Sequence, residues 1–136
     1  MRFDLTTGPD LMPAVDAALE SLREVHHLDA ELLQALRLIL EEVLVNIAQH
    51  GYGGRTGHPI GLEFDVTGGD ARILVEDQAP PFNPLTDPPP PDLESDLESR
   101  EPGGLGIFLV QSLVDRAEYR RTEQGNRLEL KKAIRV

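Results

Sequence analysis

The chain has 136 residues, enough for one domain with a real core, and it has no tryptophan. It contains no cysteine, which excludes disulfides, thiol chemistry and cysteine-ligated zinc. Its formal charge of −11, from 24 acidic and 13 basic residues, argues against nonspecific binding to nucleic acid or to an anionic membrane. A phosphate ligand is still allowed, because a helix N-terminus and a cation can hold one without a basic surface.

The N-terminus reads as a strand rather than a signal peptide, and no apolar run approaches ~20 residues. A soluble cytoplasmic protein is the expectation. Met1, Phe3 and Leu5 alternate with Arg2, Asp4 and Thr6 in a short half-buried strand. Thr7-Gly8-Pro9-Asp10 breaks it. Leu11, Val15, Leu19 and Leu22 mark one face of an amphipathic helix, with Pro13 tolerable only near its first turn. His26-His27 has no third ligand spaced to join it, so it reads as cationic side chains near a helix C-terminus rather than a metal site.

Asp29 looks like the N-cap of a long second helix and Gly51 like its C-terminal stop. Leu38–Tyr52 is mostly apolar and is predicted to be buried on most sides. Glu42, Asn46 and His50 interrupt it at a spacing of four. At ~100° per residue they fall within an arc of roughly 80°, stacked ~6 Å apart per step. A carboxylate in such a helix is costly unless something pairs with it. By itself the stripe is equally well a narrow solvated face. His50 reads as a satisfied helix-end residue rather than a catalyst. Gly53, Gly54 and Gly57 predict a loose connection.

Ile60, Leu62, Phe64 and Val66 form a one-sided strand, and Gly68-Gly69-Asp70 turns the chain. Ala71, Ile73, Val75 and Asp77 share one face of the next strand. Parity therefore aims Asp77 toward whatever covers the sheet, at the margin of the core. Residues 78–102 hold eight of the eleven prolines and are acidic beyond Thr86. Such a stretch is either a disordered insertion or a lid over a site, and the lid, at about 83–102, is the favoured reading. Gly103-Gly104-Leu105-Gly106 opens a helix carrying Ile107, Val110, Leu113 and Val114. Residues 117–122 and 127–131 close the chain as a hairpin, with Gly125-Asn126 where a type II′ turn would place its glycine. No internal repeat and no second domain is evident.

The glycine segment lacks the Lys-Ser/Thr of a P-loop and the third glycine of a dinucleotide fingerprint. It does offer backbone N–H groups at a helix start, where anions bind. Asn46 offers a neutral oxygen of the kind magnesium takes alongside phosphates and water. Asp77, acceptor-only when ionised, suits an amino group such as adenine N6 and would repel the guanine carbonyl. Glu42, one turn before Asn46, is placed to take a proton from an attacking hydroxyl. Together these make a nucleotide site.

EEVLVNIAQHGYGG, VEDQAPPFNP and PGGLGIFLVQSLVD resemble the N box and the two glycine boxes of the GHKL, or Bergerat-fold, ATPases, and within them the small anti-sigma-factor serine kinases. The resemblance covers nearly the whole chain. It implies an α+β fold, a two-layer sandwich of a mixed, mostly antiparallel sheet with helices on one face. It implies ATP and magnesium as cofactors, Glu42 as base, Asn46 as magnesium ligand and Asp77 at adenine. Gly104 and Gly106 would lie against the phosphates, with further ATP contacts from Ala79, Phe82, Gly103, Leu105 and Ile107. The implied activity is a serine-protein kinase acting on a STAS-domain antagonist, with a sigma factor as a second partner and dimerisation by likeness alone. A non-catalytic ATP-binding switch and a detached histidine-kinase catalytic domain are the alternatives. Two departures stand out. Ala79 replaces a usual glycine two residues after the aspartate, and Asn126 stands in for a threonine often found near the adenine.

Overall fold

The computed structural model describes residues 1–87 and 104–134, with the side chains of Gly104 and Leu105 left aside. Five strands form one sheet: β1 (Arg2–Thr6), β2 (Pro59–Thr67), β3 (Asp70–Asp77), β4 (Arg116–Arg121) and β5 (Asn126–Ala133). Their spatial order is β1-β2-β3-β5-β4, and every described pairing is antiparallel. The expected α+β sandwich is thus present, with no parallel pair among the described residues.

The helices are α1 (Leu11–His26), α2 (Ala30–Asn46) and α3 (Gly104–Leu113). They cover the sheet face lined by Leu5, Ile60, Leu62, Phe64, Ala71, Ile73, Val75, Leu128 and Leu130, all buried. From α1 the anticipated Leu11, Val15, Leu19 and Leu22 point inward. Leu36, Ile39, Leu40, Val43 and Leu44 of α2, each 1% exposed or less, form the centre of the helical layer. Burying one such side chain is worth ~1.5–3 kcal/mol over leaving it in water. The other sheet face is polar. Arg72 bridges Glu129 and Asp65 there, Arg2 bridges Glu76, and Leu74, 3% exposed, is the one fully covered apolar side chain among them.

Local chemistry sets the element ends. Asp29 is the N-cap of α2, and its carboxylate accepts from Leu32 N at 2.8 Å. Gly68 and Gly69 both have positive φ between Thr67 and Asp70, as a tight two-residue hairpin turn needs. His27 ends α1 in the left-handed region, and the His26 ring lies 5.7 Å from that of Phe64.

Three expectations need correction. Gly51 is not a left-handed stop. Instead α2 runs into a π turn, Ile47–Gly51, closed by Tyr52 N donating to Ile47 O at 2.8 Å. The glycine-rich connection after it is pinned at both ends. The Tyr52 hydroxyl donates to Pro59 O and accepts from Gln78 N, while Thr7 Oγ1 donates to Arg55 O and accepts from His58 N. The final hairpin turns through 122–125, with Arg121 already paired to Asn126, so Asn126 belongs to β5 and no II′ turn forms. Gly125 is glycine for another reason: a Cβ there would overlap the Asp77 carbonyl.

Leu36→Ala is expected to lower unfolding stability by ~2–5 kcal/mol, through lost burial and the cavity left behind. Asp29→Ala should cost ~1 kcal/mol, the usual loss for an N-cap. Urea unfolding of both variants measures the difference.

Candidate functional site

The site begins with where α2 aims its polar residues. At ~100° per residue Asn46 falls ~20° from Ile39, inside the buried stripe, whereas Glu42 lies ~60° away, at its margin. The structure follows that geometry. Asn46 is 1% exposed and Glu42 is half-buried. His50, beyond the change to π geometry, is exposed, with its ring 6.1 Å from that of Phe82. The three residues are therefore not a solvated stripe. Asn46 Nδ2 is buried without a hydrogen-bond partner among the described residues. A buried polar atom left so costs ~1–3 kcal/mol unless a ligand or water meets it.

Glu42 faces the start of α3. A Cβ on Gly106 would overlap its carboxylate, so glycine is what lets the acid group lie against the first turn of that helix. Burial raises the Glu42 carboxyl above its ordinary value, and the neighbouring charge of Glu41 adds to the rise. Ile107 is 8% exposed and packs into the core. Gly104 and Leu105 lie in the same first turn, and Gly103 falls outside the described residues.

The far end of α2 meets the exit of β3. A Cβ on Gly51 would sit 3.4 Å from Ala79 Cβ and 3.6 Å from Phe82 Cδ2. Ala79 and Phe82 are both buried. Asp77, 7% exposed, turns its Oδ1 to Ala79 N at 2.9 Å and to Asn126 Nδ2 at 2.8 Å. The bond to Ala79 is the aspartate's own turn, reaching two residues on. Ala79 keeps out of the left-handed region, so alanine is unstrained where glycine was expected. Burial raises the Asp77 carboxyl, while the bonds from Asn126 and Ala79 and the charge of Arg121 pull it down.

Of the proline-rich stretch, residues 83–87 form a turn closed by Asn83 and Asp87, with Leu85 buried and its carbonyl accepting from Gln111 Nε2 of α3 at 3.3 Å. Residues 88–102, the bulk of the expected lid, lie outside the described residues. Thus α2 touches the start of α3, and the π turn that follows it touches the residues just past β3.

Reading the residues alone missed the supports of this end of the sheet. Arg121 donates to Ala79 O at 2.7 Å, Tyr119 donates to Asn126 Oδ1, and Tyr52 holds Gln78 N. One signal was available: Asn126, Leu128 and Leu130 alternate, which puts Asn126 on the inward face beside Asp77.

A family model described as a histidine kinase-like ATPase domain matches residues 5–132. The chain belongs to the histidine kinase-like ATPase family. This histidine kinase-like ATPase is similar to serine-protein kinase RsbW of Listeria monocytogenes, 27% identical over 118 residues that make up 85% of this chain and 75% of that protein. It is similar to serine/threonine-protein kinase BtrW of Bordetella bronchiseptica, 28% identical over 103 residues, 74% of this chain and 70% of the other. A serine-protein kinase RsbW of Bacillus pumilus is 28% identical over 93 residues, 65% of this chain and 57% of its own. Membership of this ATPase family implies the use of ATP.

Because burial raises Glu42, the folded chain binds its proton more tightly than the unfolded chain. Stability contributed at this position therefore falls as pH rises from the ordinary carboxylate value through the raised one. Glu42→Gln should be more stable than the parent at neutral pH, with the advantage shrinking as pH drops through the ordinary carboxylate range. Denaturant unfolding at several pH values measures this, and a gap independent of pH would remove the burial penalty as its cause.

Proposed function

We propose that this histidine kinase-like ATPase is a serine-protein kinase of the anti-sigma type, passing a phosphoryl group from ATP to a serine of a STAS-domain antagonist protein. The observation that carries the reading is the placement of Glu42. It is a half-buried carboxylate one helical turn from a buried, unpartnered asparagine and set against a glycine at the start of α3. The printed names of the relatives support it, since they are serine-protein or serine/threonine-protein kinases.

The residues fit a magnesium nucleotide. Asn46 is 1% exposed and its amide oxygen is of the kind magnesium takes, while its Nδ2, without a partner among the described residues, is a donor suited to a phosphate oxygen or water; Gly106, without a side chain, leaves room for the Glu42 carboxylate at the first turn of α3. Among the described residues no three His, Cys, Asp or Glu side chains come together. A magnesium ion here would take one oxygen from Asn46 and the rest from phosphates and water, as that ion ordinarily does. When bound, the metal nucleotide supplies the transferable phosphoryl group and neutralises its charge.

Glu42 accepts the proton of the incoming seryl hydroxyl, and its raised proton affinity makes it a better base than an exposed carboxylate. Gly104 and Gly106 leave the backbone N–H groups of α3 open to phosphate oxygens. Asp77 accepts from the adenine amino group, with Ala79 and Phe82 forming the adjoining wall. A phosphorylatable acceptor is one class of partner, with a sigma factor and a second copy of the chain as further partners of the same reading. On this reading the reaction runs in the cytoplasm, where ATP is supplied.

Incubation with ATP, magnesium and purified STAS-domain proteins should add one phosphoryl group to the cognate acceptor, read by intact mass. Glu42→Ala should keep ATP binding and lose transfer by ~10²–10⁴-fold, the range for a general base. Binding of ATP with no transfer to any acceptor would instead make the domain a nucleotide-operated switch. Asn46→Ala should lose the magnesium-dependent part of ATP affinity in calorimetry with and without the metal. An unchanged affinity would remove Asn46 as a ligand.

A further inference from the structure

We infer that the free edge of β4 is a docking site for a partner protein, which lays an extended segment along it as one more strand of the sheet. The segment that fits has apolar residues at alternate positions and carboxylates between them. The inference goes beyond phosphoryl transfer and does not depend on it.

The sheet ends at β4, which pairs with β5 on one side and, among the described residues, with no strand on the other. In an antiparallel pair, successive residues turn their backbone groups alternately toward the neighbour and away from it. Thr122 N donates to Gly125 O at 2.7 Å just past the end of β4. Stepping back by two from there turns the backbone of Arg120, Glu118 and Arg116 toward β5. The N–H and C=O groups of Ala117, Tyr119 and Arg121 therefore face outward. A row of this kind is a template for another strand.

The two faces of this edge differ. Ala117 and Tyr119 stand opposite Leu130 and Leu128, on the face that the helices cover. Both leucines are buried, yet Tyr119 is only half-buried and Ala117 is exposed, because the helical layer stops short of β4. A groove of about 300 Å³ is left beside the strand. Leu85, Gln111 and Val114 line it across from β4, with Gln111 Nε2 donating to Leu85 O at 3.3 Å. Apolar side chains of an added strand would enter this groove. On the other face Arg116 stands opposite Lys131 and Arg120 opposite Arg127. Like charges directly across a sheet repel. Arg120 reaches Glu118 at 3.5 Å, and among the described residues neither Arg116 nor Arg127 forms an ion pair. Carboxylates on the added strand, beside Arg116 and Arg120, would relieve that repulsion. These cations are a local exception in a chain of net charge −11. Charges alone would guard an edge against any strand. The apolar groove behind them makes this edge selective for one that alternates apolar and acidic residues.

The test titrates the full chain, by calorimetry, with short blocked peptides that alternate valine with glutamate or valine with lysine. The glutamate peptide should bind tighter by roughly fivefold or more, the worth of two exposed charge pairs, although the net charge of the chain favours the lysine one. N-methylation of one alternate set of its amides should abolish binding, and methylation of the other set should leave it. Ala117→Pro removes an outward N–H that β5 does not use, a change edge strands tolerate. It should weaken the glutamate peptide by roughly fivefold, the worth of one hydrogen bond, with the circular dichroism of the chain unchanged. Arg116→Glu combined with Arg120→Glu should reverse the preference between the peptides. Equal affinity for the two peptides, or binding indifferent to Ala117→Pro or to both methylations, overturns the inference. So does a dimer of the parent that Ala117→Pro dissociates, since the occupant is then a second copy of the chain. Should the variants not fold, amide exchange in the parent decides. The Ala117 and Tyr119 N–H groups should exchange fast in the free chain and slowly with the glutamate peptide. Protection already present without the peptide, or none with it, overturns the inference.

Discussion

Helix α2 is clamped. Leu36, Ile39, Leu40, Val43, Leu44 and, just past its end, Ile47 are each 1% exposed or less, so the helix can neither roll nor slide without opening the centre of the core. Protein interiors are packed as densely as organic crystals, and a rotation of even a fraction of a turn would drive these side chains into the sheet. The position of every polar atom on α2 is consequently inherited from its apolar ones. Asn46 is buried because it lies in angle beside Ile39. Glu42 is half-buried because it lies further round. The unpartnered amide and the carboxylate against α3 are what that clamp produces when two polar residues are written into an otherwise apolar helix.

The same logic runs through the sheet. Antiparallel pairing sets Asp77 opposite Ile60 on one side and Asn126 on the other, and parity turns both Asp77 and Asn126 inward. A carboxylate at the inner edge of a sheet would ordinarily neutralise itself by holding a proton. Here two neutral donors and a nearby guanidinium pull the group back down, while burial remains the larger effect and leaves it raised. Asp77, Ala79, Phe82, Arg121 and Asn126 form one hydrogen-bonded unit at the end of β3. Its geometry comes from strands that lie far apart in sequence. The π turn at Ile47–Gly51 links this unit to α2, carrying Gly51 against Ala79 and Phe82.

Glycines illustrate how far local reading goes. Gly68 and Gly69 are legible from sequence because a two-residue hairpin turn demands positive φ, a purely local requirement. In sequence Gly51 and Gly125 look like conformational glycines. Neither has positive φ, and the reason for Gly125 is a carbonyl contributed by a strand nearly fifty residues away. In sequence Gly106 belongs to a glycine-rich helix start suited to phosphate. That it also makes room for Glu42 follows only from α2 packing on α3. A close approach leaves no local mark, since the atom that forbids a side chain belongs to another segment.

The sequence by itself determined the fold class, the strands and helices, the inward face of each strand and the N-cap of α2. Periodicity and capping are short-range properties written in neighbouring residues. It also marks Glu42, Asn46 and Asp77 as candidates, polar residues set among apolar ones, with the roles proposed for them implied by the family likeness. Tertiary structure alone decided how those residues are held. The register that faces Asn126 with Asp77 and the ties of Tyr52 and Arg121 to the exit of β3 are all long-range pairings. Such pairings are chosen by the packing of the whole core, and no window of neighbouring residues contains them.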